Sequence, residues 1–371
     1  MSGFSIELVE DRAGFEALAP DWRALYERSG RPDQIFQQFD WLRLWADHFL
    51  DGKRLAIVTG RRDGRVAMIW PLVRTHSLGV RRLAFMGEPA GQYGDALIED
   101  CADAGLIEAA WTRILALKTD LVHLRRVRET SPLFAFLRER GLTAQSDAAP
   151  YVEFGGIQCY DDFDKRYSGK ARSSRRRLKR RLEEIGPVSF VCAMSCDEAR
   201  ALVGRAFAMK RAQLETRGRF APAMRDFRLE RLFLAAAGAP ASGAQVSAIA
   251  CNGETAAVSI AFAAKGEAFG HILAYDLRYE KQGVGVLLAE HAFRSAFEAG
   301  CRRFDMATPA DKYKLDWASG AVAVEDFAAP LTVRGALYSR LWLKGGRAMA
   351  KAIAGRTPSA LLRATGRGGP T

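Results

Sequence analysis

The sequence has no apolar segment long enough to cross a membrane. A transmembrane helix needs about 20 consecutive apolar residues, and no run in the 371 residues approaches that length. The first residues, MSGFSIELVEDR, also lack the basic and then apolar pattern of a secretion signal. We therefore expect a cytoplasmic protein, with peripheral attachment to the inner face of the membrane left open.

Cysteine is scarce, with six residues in the chain. Cys192 and Cys196 lie four residues apart, but no matching Cys or His pair follows them, so we expect no metal site. The cysteines are scattered and mostly lie beside apolar residues, which favours buried thiols in a reducing compartment. The chain is 49% hydrophobic. That content argues against global disorder, and the length allows two domains.

Acidic residues are absent after Asp326, although the net charge of the chain is +12. We treat residues 333–371 as a basic tail that could lie on an anionic membrane surface. Its cations are Arg334, Arg340, Lys344, Arg347, Lys351, Arg356, Arg363 and Arg367. Together with one internal basic run, the tail sets the attraction of the chain to anions.

The internal basic run extends from Lys170 to Arg181 and holds eight cations in twelve residues. Leu178, Leu182 and Ile185 form one apolar stripe, which predicts a helix docked along one face. Arg175, Arg176 and Lys179 are candidate anion-binding residues. The partner could be a coenzyme phosphate, a tRNA arm, an acidic polymer or an anionic membrane, or the helix is simply solvated. Aromatic residues are not interleaved, so we expect no DNA partner.

The order of predicted elements repeats along the chain. A hairpin around Asp63-Gly64 is followed by extended segments, a helix from Ala104 and the strand LVHLRRV. A second hairpin around Asn252-Gly253 is followed by the strand AFGHILAYD, a helix at 283–300 and the strand CRRFDMAT. This pattern predicts an α/β protein with two tandem units, each a mixed, mostly antiparallel sheet flanked by helices. We expect the units at 1–150 and 151–332.

The stretch from Ala274 to Trp317 has the pattern of a strand, a glycine-containing loop and a helix. The strand ends near Asp276, and the helix begins directly after Gly283-Val284-Gly285. A helix N-terminus presents unpaired N–H groups and the positive end of a dipole, so the loop suits a phosphate-sized anion. A Gly-x-Gly pattern is also a common turn.

This stretch resembles the pyrophosphate-binding strand, loop and helix of GNAT acetyltransferases, most closely the CelD-like, FemAB-related domain. Phe304-Asp305 and Lys312-Tyr313-Lys314 resemble the C-terminal signature of that domain, and FQQFDWLRLW at 36–45 resembles its N-terminal signature. The GNAT loop reads Gln/Arg-x-x-Gly-x-Gly/Ala, and this chain departs from it with Glu280. The first half has no clear Gly-x-Gly loop, so we expect its unit to be degenerate.

The resemblance implies that acetyl-CoA or another acyl-CoA is the donor. Lys281 and Gln282 adjoin the loop and can compensate for Glu280. The donor-binding residues that the resemblance implies are Lys281, Gln282, Gly283, Val284, Gly285 and Val286.

Acyl transfer needs a group that removes the proton of the nucleophile. His271 titrates near neutral pH and is one candidate base, with a satisfied sheet histidine as the alternative. Side-chain alternation places Phe269, His271, Leu273 and Tyr275 on one face of the strand. Asp276 is a second candidate base or a loop cap.

Acyl transfer also needs groups that stabilise the leaving thiolate and the carbonyl oxygen. By resemblance, Tyr313 is the general acid, with interface packing as the alternative. Asp305 is expected to be paired, either structurally with an arginine or within the cleft. Lys312 and Lys314 bind an anionic donor or stabilise the oxyanion, or lie on a solvated face.

Three functions remain open on the sequence alone. The first is transfer of an acyl group from acyl-CoA to an amine or hydroxyl of a small molecule or saccharide, with polysaccharide or envelope metabolism implied only by the resemblance. The second is a Fem-like transferase that uses aminoacyl-tRNA. The third is a non-catalytic adaptor that binds a membrane or an acidic polymer through its basic segments.

Overall fold

The structure is a computed structural model that describes residues 4–99 and 104–346. The helices of the first half are α1 (Arg12–Ala17), α2 (Ala19–Ser29), α3 (Phe39–Phe49), α4 (Ala104–Leu115) and α5 (Pro132–Glu139). Its strands are β1 (Phe4–Val9), β2 (Arg54–Leu55), β3 (Ile57–Arg62), β4 (Arg65–Trp70), β5 (Leu72–Ser77), β6 (Val80–Phe85), β7 (Leu97–Ile98), β8 (Leu121–Arg128) and β9 (Thr143–Glu153).

The second half repeats the alternation of helices and strands. Its helices are α6 (Tyr160–Asp164), α7 (Gly169–Glu183), α8 (Cys196–Thr216), α9 (Pro222–Arg225), α10 (Phe227–Ala237), α11 (Val284–Glu298), α12 (Lys312–Leu315) and α13 (Val333–Tyr338). Its strands are β10 (Val188–Cys192), β11 (Ala244–Cys251), β12 (Glu254–Ala264), β13 (Glu267–Tyr275), β14 (Arg303–Asp305) and β15 (Gly320–Pro330). Short 3-10 helices span Pro32–Gln37, Pro240–Ser242 and Leu277–Gln282, and a π-helical segment spans Ser339–Gly346.

One long sheet joins the two halves, in the order β10-β11-β12-β13-β14-β9-β15-β8-β6-β5-β2. A second sheet has the order β1-β3-β4-β7. Each half contributes one parallel pair, β6 with β8 and β13 with β14, among otherwise antiparallel neighbours. The predicted α/β fold with mixed, mostly antiparallel sheets flanked by helices is therefore confirmed.

The halves exchange their last strands. β9 lies between β14 and β15, and β15 lies between β9 and β8. Pro150, where we expect the unit boundary, lies within β9. Each half therefore completes the sheet of the other.

Both predicted hairpin turns form because their central residues have positive φ. Asp63 and Gly64 have φ of 50° and 78°, and Asn252 and Gly253 have 51° and 76°. Such dihedrals match the twist of antiparallel strands, and Asn, Asp and Gly adopt them most readily.

Aromatic side chains of the 36–45 motif lie in a core shared by both halves. The Trp41 ring is fully buried and lies 4.8 Å from the Phe262 ring of β12 and 6.1 Å from the Phe233 ring of α10. Burial of one such side chain contributes roughly 1.5–3 kcal/mol. The motif is therefore a packing motif that fixes α3 against the second half.

A buried ion pair also joins the halves. Asp305 of β14 and Arg128 of β8 are 0% and 4% exposed and are bonded to each other. Tyr93 donates a hydrogen bond of 2.7 Å to Asp305, and the Arg128 guanidinium lies over the Tyr93 ring. Burial and the adjacent carboxylate raise the pKa of Tyr93 well above its usual range, so the phenol keeps its proton.

The structure bears on two expectations, the lack of a membrane-spanning helix and the burial of the cysteines. Among the described residues, no helix has both the length and the apolarity that a bilayer crossing requires. The expectation of buried thiols is wrong for Cys159 and Cys192, which are exposed, whereas Cys251 and Cys301 are buried. Apolar neighbours in the sequence do not predict burial for a cysteine at the start of a helix, such as Cys159, or at the end of a strand, such as Cys192.

Candidate active site

The parallel strands β13 and β14 pair over three residues and then separate. Their register ends at Phe269 and Asp305. A bulge on β13 contributes to the separation, because Ile260 of β12 pairs with Ile272 while Ala261 pairs with Gly270, which leaves His271 as the extra residue. The strands therefore open into a fork.

The fork holds a cavity of about 500 Å³. Its walls are β13, the segment after β14, the C-terminal half of α8 and the first turns of α11. A cavity of this size lies within the range of small-molecule and cofactor sites.

The glycine loop at the start of α11 has no room for side chains. Gly283 has φ of +68°, and a Cβ there would lie 2.8 Å from the Leu178 side chain of α7. A Cβ on Gly285 would lie 3.1 Å from the Tyr275 ring. The loop therefore stays open at the N-terminus of a 15-residue helix, where unpaired N–H groups attract anions.

Glu280, the departure from the GNAT loop pattern, is paired with an arginine. Arg217 at the end of α8 donates to Glu280, and the Tyr275 hydroxyl donates to it at 3.1 Å. The hydrogen bond from Arg217 lowers the pKa of Glu280. Arg217 and Arg219 line the cavity, so cations remain beside the loop.

Two lysines enter the cavity from opposite sides. Lys210 of α8 donates to the backbone oxygen of Leu273 at 2.9 Å. Lys314 of α12 is 6% exposed and donates to the backbone oxygen of Ala307 at 2.7 Å. Burial lowers the pKa of both ammonium groups, and that of Lys314 falls to about 8.

His271 lines the cavity and is neutral at physiological pH. Its Nε2 lies 2.6 Å from the carbonyl oxygen of Ala90, which can only accept, so Nε2 carries the proton. Nδ1 is therefore an acceptor, and it is buried with no protein partner among the described residues. Burial lowers the pKa of His271 to about 4.

The predicted alternation along β13 is wrong beyond His271. Ile272 and Ala274 pack into the core that contains Phe269, whereas Leu273 and Tyr275 pack against the α11 side. The bulge at His271 adds one residue to the strand, and one extra residue reverses the face of each later side chain.

Tyr313 lines the cavity and remains 48% exposed. Desolvation of the phenol raises its pKa to about 12. The hydroxyl therefore keeps its proton at neutral pH and can act as a proton donor.

The cavity brings together part of the predicted site. The predicted residues that line it are His271, Gly283, Gly285, Val286, Tyr313 and Lys314. Outside its lining are Arg175, Arg176, Lys179, Asp276, Lys281, Gln282, Val284, Asp305 and Lys312.

Four residues outside the lining are already engaged in ion pairs, and one of them is Lys179, which pairs with Glu183 at 3.5 Å. Asp276 caps the 3-10 turn after β13 and pairs with Arg278, which corresponds to the loop-cap alternative. Asp305 is held by Arg128, which corresponds to the structural alternative. Arg175, expected at an anion site, is 6% exposed and bonds to Asp164 and Glu290.

Sequence reasoning missed the contribution of α8. Lys210, Gln213 and Arg217 line the cavity although they precede the glycine loop by 66 residues or more in the chain. No local motif marks them. In residues 4–99 and 104–346, no cluster of His, Cys, Asp or Glu forms a metal-binding group. The tail cations from Arg347 onward lie outside the described residues.

In this part of the chain, parallel strands separate beside a glycine loop at a helix N-terminus. Residues 169–315, from α7 to α12, match the family model described as acetyltransferase (GNAT) domain. The predicted resemblance to GNAT acetyltransferases is therefore confirmed for this segment. Comparison with curated proteins gives no significant match.

Solved structures support the tandem arrangement. A tandem GNAT protein from the clavulanic acid biosynthesis pathway is 15% identical, with a TM-score of 0.50 over 88% of this chain and 99% of that one. FemX is 10% identical, with a TM-score of 0.60 over 88% and 98%. L-PGS from Bacillus licheniformis is 15% identical, with a TM-score of 0.50 over 89% and 96%. At these identities the likeness establishes the fold.

Proposed function

We propose that the protein transfers an acyl group from acyl-CoA to an amine or hydroxyl acceptor. The observation that carries the proposal is a glycine loop at the N-terminus of α11 that lines a cavity, with Arg217 bonded to Glu280 beside the loop and Arg219 also in the lining. Helix N–H groups and arginines are suited to the pyrophosphate of a coenzyme.

The chemistry follows from the groups deeper in the cavity. The acceptor attacks the thioester carbon, the C–S bond breaks and the thiolate leaves. The acceptor loses its proton to solvent water, from which the half-exposed Tyr313 regains the proton that it donates. Tyr313 holds a proton that it can give to this thiolate. Nδ1 of His271 accepts a hydrogen bond from the nucleophile and orients it. A pKa of about 4 makes His271 a weak base, so an acceptor amine has to bind in its neutral form.

Calorimetric titration with acetyl-CoA and CoA tests the donor. We expect binding in the wild type and at least tenfold weaker binding in Gly285→Val, because the side chain would enter the space between the loop and the Tyr275 ring. Gly204→Val is the matched control, since a Cβ at this α8 position meets no atom within 4 Å. Absence of binding to both ligands in the wild type would overturn an acyl-CoA donor.

A second candidate is a transferase that takes its acyl group from aminoacyl-tRNA. Two observations favour it: the exposed cations of α7 lie beside the glycine loop, and the backbone oxygens of Leu273 and Tyr275 on the open edge of β13 are already bonded by Lys210 and Gln213. An extended coenzyme arm would therefore find these acceptors occupied.

Filter binding of bulk tRNA at increasing salt tests this candidate. Replacement of Arg176, Arg177 and Arg180 by Gln should weaken binding and reduce its salt dependence by about three charges. Arg113→Gln, on the exposed surface of α4, is the single-charge control. Tight CoA binding without tRNA binding would reject the candidate.

A further inference from the structure

Lys314, which is buried, and Lys210, which is partly buried, each hold an ammonium group in the cavity without a carboxylate within ion-pair distance among the described residues. An ammonium has three donors, and the bonds that the structure gives are one to Leu273 and one to Ala307. Neither lysine forms an ion pair within the described residues. A buried charge that lacks a counter-ion is costly, and the lowered pKa of both groups reflects that cost.

The two lysines lie on opposite walls of the fork. Lys210 is bonded to β13 four residues beyond Phe269, where pairing ends, and Lys314 is bonded to the other wall two residues beyond Asp305. Their remaining donors are therefore available to one group held between the walls.

The position of Lys210 is separate from the glycine loop. Lys210 precedes Arg217 by two helical turns, which is roughly 10 Å along α8 at 1.5 Å per residue. Arg217 contacts Glu280 beside the loop, whereas Lys210 contacts the middle of the open strand edge. Lys210 therefore contacts the strand edge at a different point from the arginine that borders the loop.

Asp311 adds an opposite charge to the same cavity. It precedes α12, lines the cavity and has no ion-pair partner among the described residues. Its carboxylate raises the pKa of both lysines, although burial outweighs this effect. Lys210, Lys314 and Asp311 thus line one cavity, and none of the three forms an ion pair among the described residues.

We propose that the acceptor is an amine that also carries a carboxylate or a phosphate, with this anion held between Lys210 and Lys314 and the amine left for Nδ1 of His271. The proposal rests on the proposed acyltransferase function and names the substrate class of that site. Anion recognition by two desolvated ammonium groups supplies both affinity and orientation.

Matched pairs of amines test the proposal by calorimetry, with and without saturating CoA. The pairs are D-alanine with D-alaninamide for the carboxylate, and glucosamine 6-phosphate with glucosamine for the phosphate. We expect the anionic member of at least one pair to bind roughly tenfold or more tightly than its neutral partner. Lys210→Met and Lys314→Met should each remove the difference, and Lys118→Met, a surface lysine beyond α4, should preserve it.

Three results would overturn the proposal: no preference for the anionic member in either pair, a preference that survives both substitutions, or a loss of CoA affinity equal to the loss of amine affinity. The last result would assign the lysines to the donor. The acyl-CoA donor is tested separately, because titration of the wild type with CoA in the absence of any amine measures donor binding alone.

Discussion

The two halves open the same kind of fork and fill it differently. In the second half, β13 and β14 separate around a cavity of about 500 Å³. In the first half, the parallel register of β6 and β8 includes Arg82 with Leu121 and Leu83 with Val122. There the chain between Gly87 and Gly94 returns towards β8, and Gly94 donates to the carbonyl oxygen of Arg126.

The contrast shows how one half supports the site of the other. Tyr93 and Ala90 of the inserted chain reach across to Asp305 and His271 of the second half. Arg126 and Ala307, which follow the divergence in the two halves, have similar positive φ of 57° and 55°. The first fork is thus closed by protein, and the closing chain positions residues of the open fork.

The largest effect is expected from breaking the connection between the forks. Arg128→Met leaves Asp305 buried without its cation, which costs about 3–5 kcal/mol. Urea denaturation should show this loss in a transition that affects both halves, because β8 and β14 belong to one sheet.

The double variant Arg128→Met with Asp305→Leu is the control. It removes both charges, so it should recover part of the lost stability. A single variant that costs less than 1 kcal/mol would show that the ion pair does not hold the halves together.

Local patterns predicted the elements but not their pairing. The turns at Asp63-Gly64 and Asn252-Gly253 have a direct backbone cause and appear where expected. The exchange of β9 and β15 depends on contacts between residues 150 or more positions apart, such as Glu153 with Arg303 and Tyr151 with Gly320, and no short-range period records such contacts. The glycine loop was predicted because it is a local motif, whereas its partners from α8 were not, because they precede it by 66 residues or more in the chain.

The site residues also divide into those within a local motif, which were predicted, and those whose role depends on distant contacts, which were not. Gly283, Gly285 and Tyr313 lie within one continuous motif, so the sequence predicted their neighbourhood. The free Nδ1 of His271 depends on Ala90, 181 positions away. A bulge of one residue then reversed the later face of β13, which alternation alone cannot anticipate.

The second effect compares a glycine in each fork. A Cβ on Gly94 would lie 2.2 Å from the Phe85 ring and 2.8 Å from the backbone oxygen of Arg125. Gly94→Ala should therefore destabilise the protein by about 1–3 kcal/mol. A Cβ on Gly270 would meet mainly the Phe304 ring, at 2.9 Å, and this ring borders the cavity, so Gly270→Ala should cost less. Equal losses in thermal denaturation would contradict the difference between a filled and an open fork.

The third effect uses pH to test the contact between the forks. Burial lowers the pKa of His271 to about 4, from an ordinary value of 6.5. The unfolded chain therefore binds a proton first as pH falls, and the stability due to neutral His271 declines between pH 6.5 and 4. His271→Gln keeps a donor for Ala90 and should flatten this decline, measured by urea denaturation at pH 7 and pH 5. The surface variant His76→Gln should leave the decline unchanged, and an unchanged slope in His271→Gln would contradict a buried neutral histidine.

The smallest effect concerns a charge that the open fork keeps without a counter-ion. Burial lowers the pKa of Lys314 from 10.5 to about 8, so at pH 7 the folded protein carries an unfavourable buried ammonium. Lys314→Met removes this cost but also the hydrogen bond to Ala307, and a net gain of about 1 kcal/mol is expected. The gain should be full below pH 8 and should fade between pH 8 and 10.5, because the wild-type lysine is then neutral in the folded state while the unfolded chain still binds the proton. Thermal denaturation across this range, with Lys118→Met as control, measures it. If the variant is less stable than the wild type at pH 7, Lys314 has a favourable partner inside the cavity. If the stability difference disappears when an anionic amine is added, the ligand stabilises the wild-type protein by binding its buried ammonium.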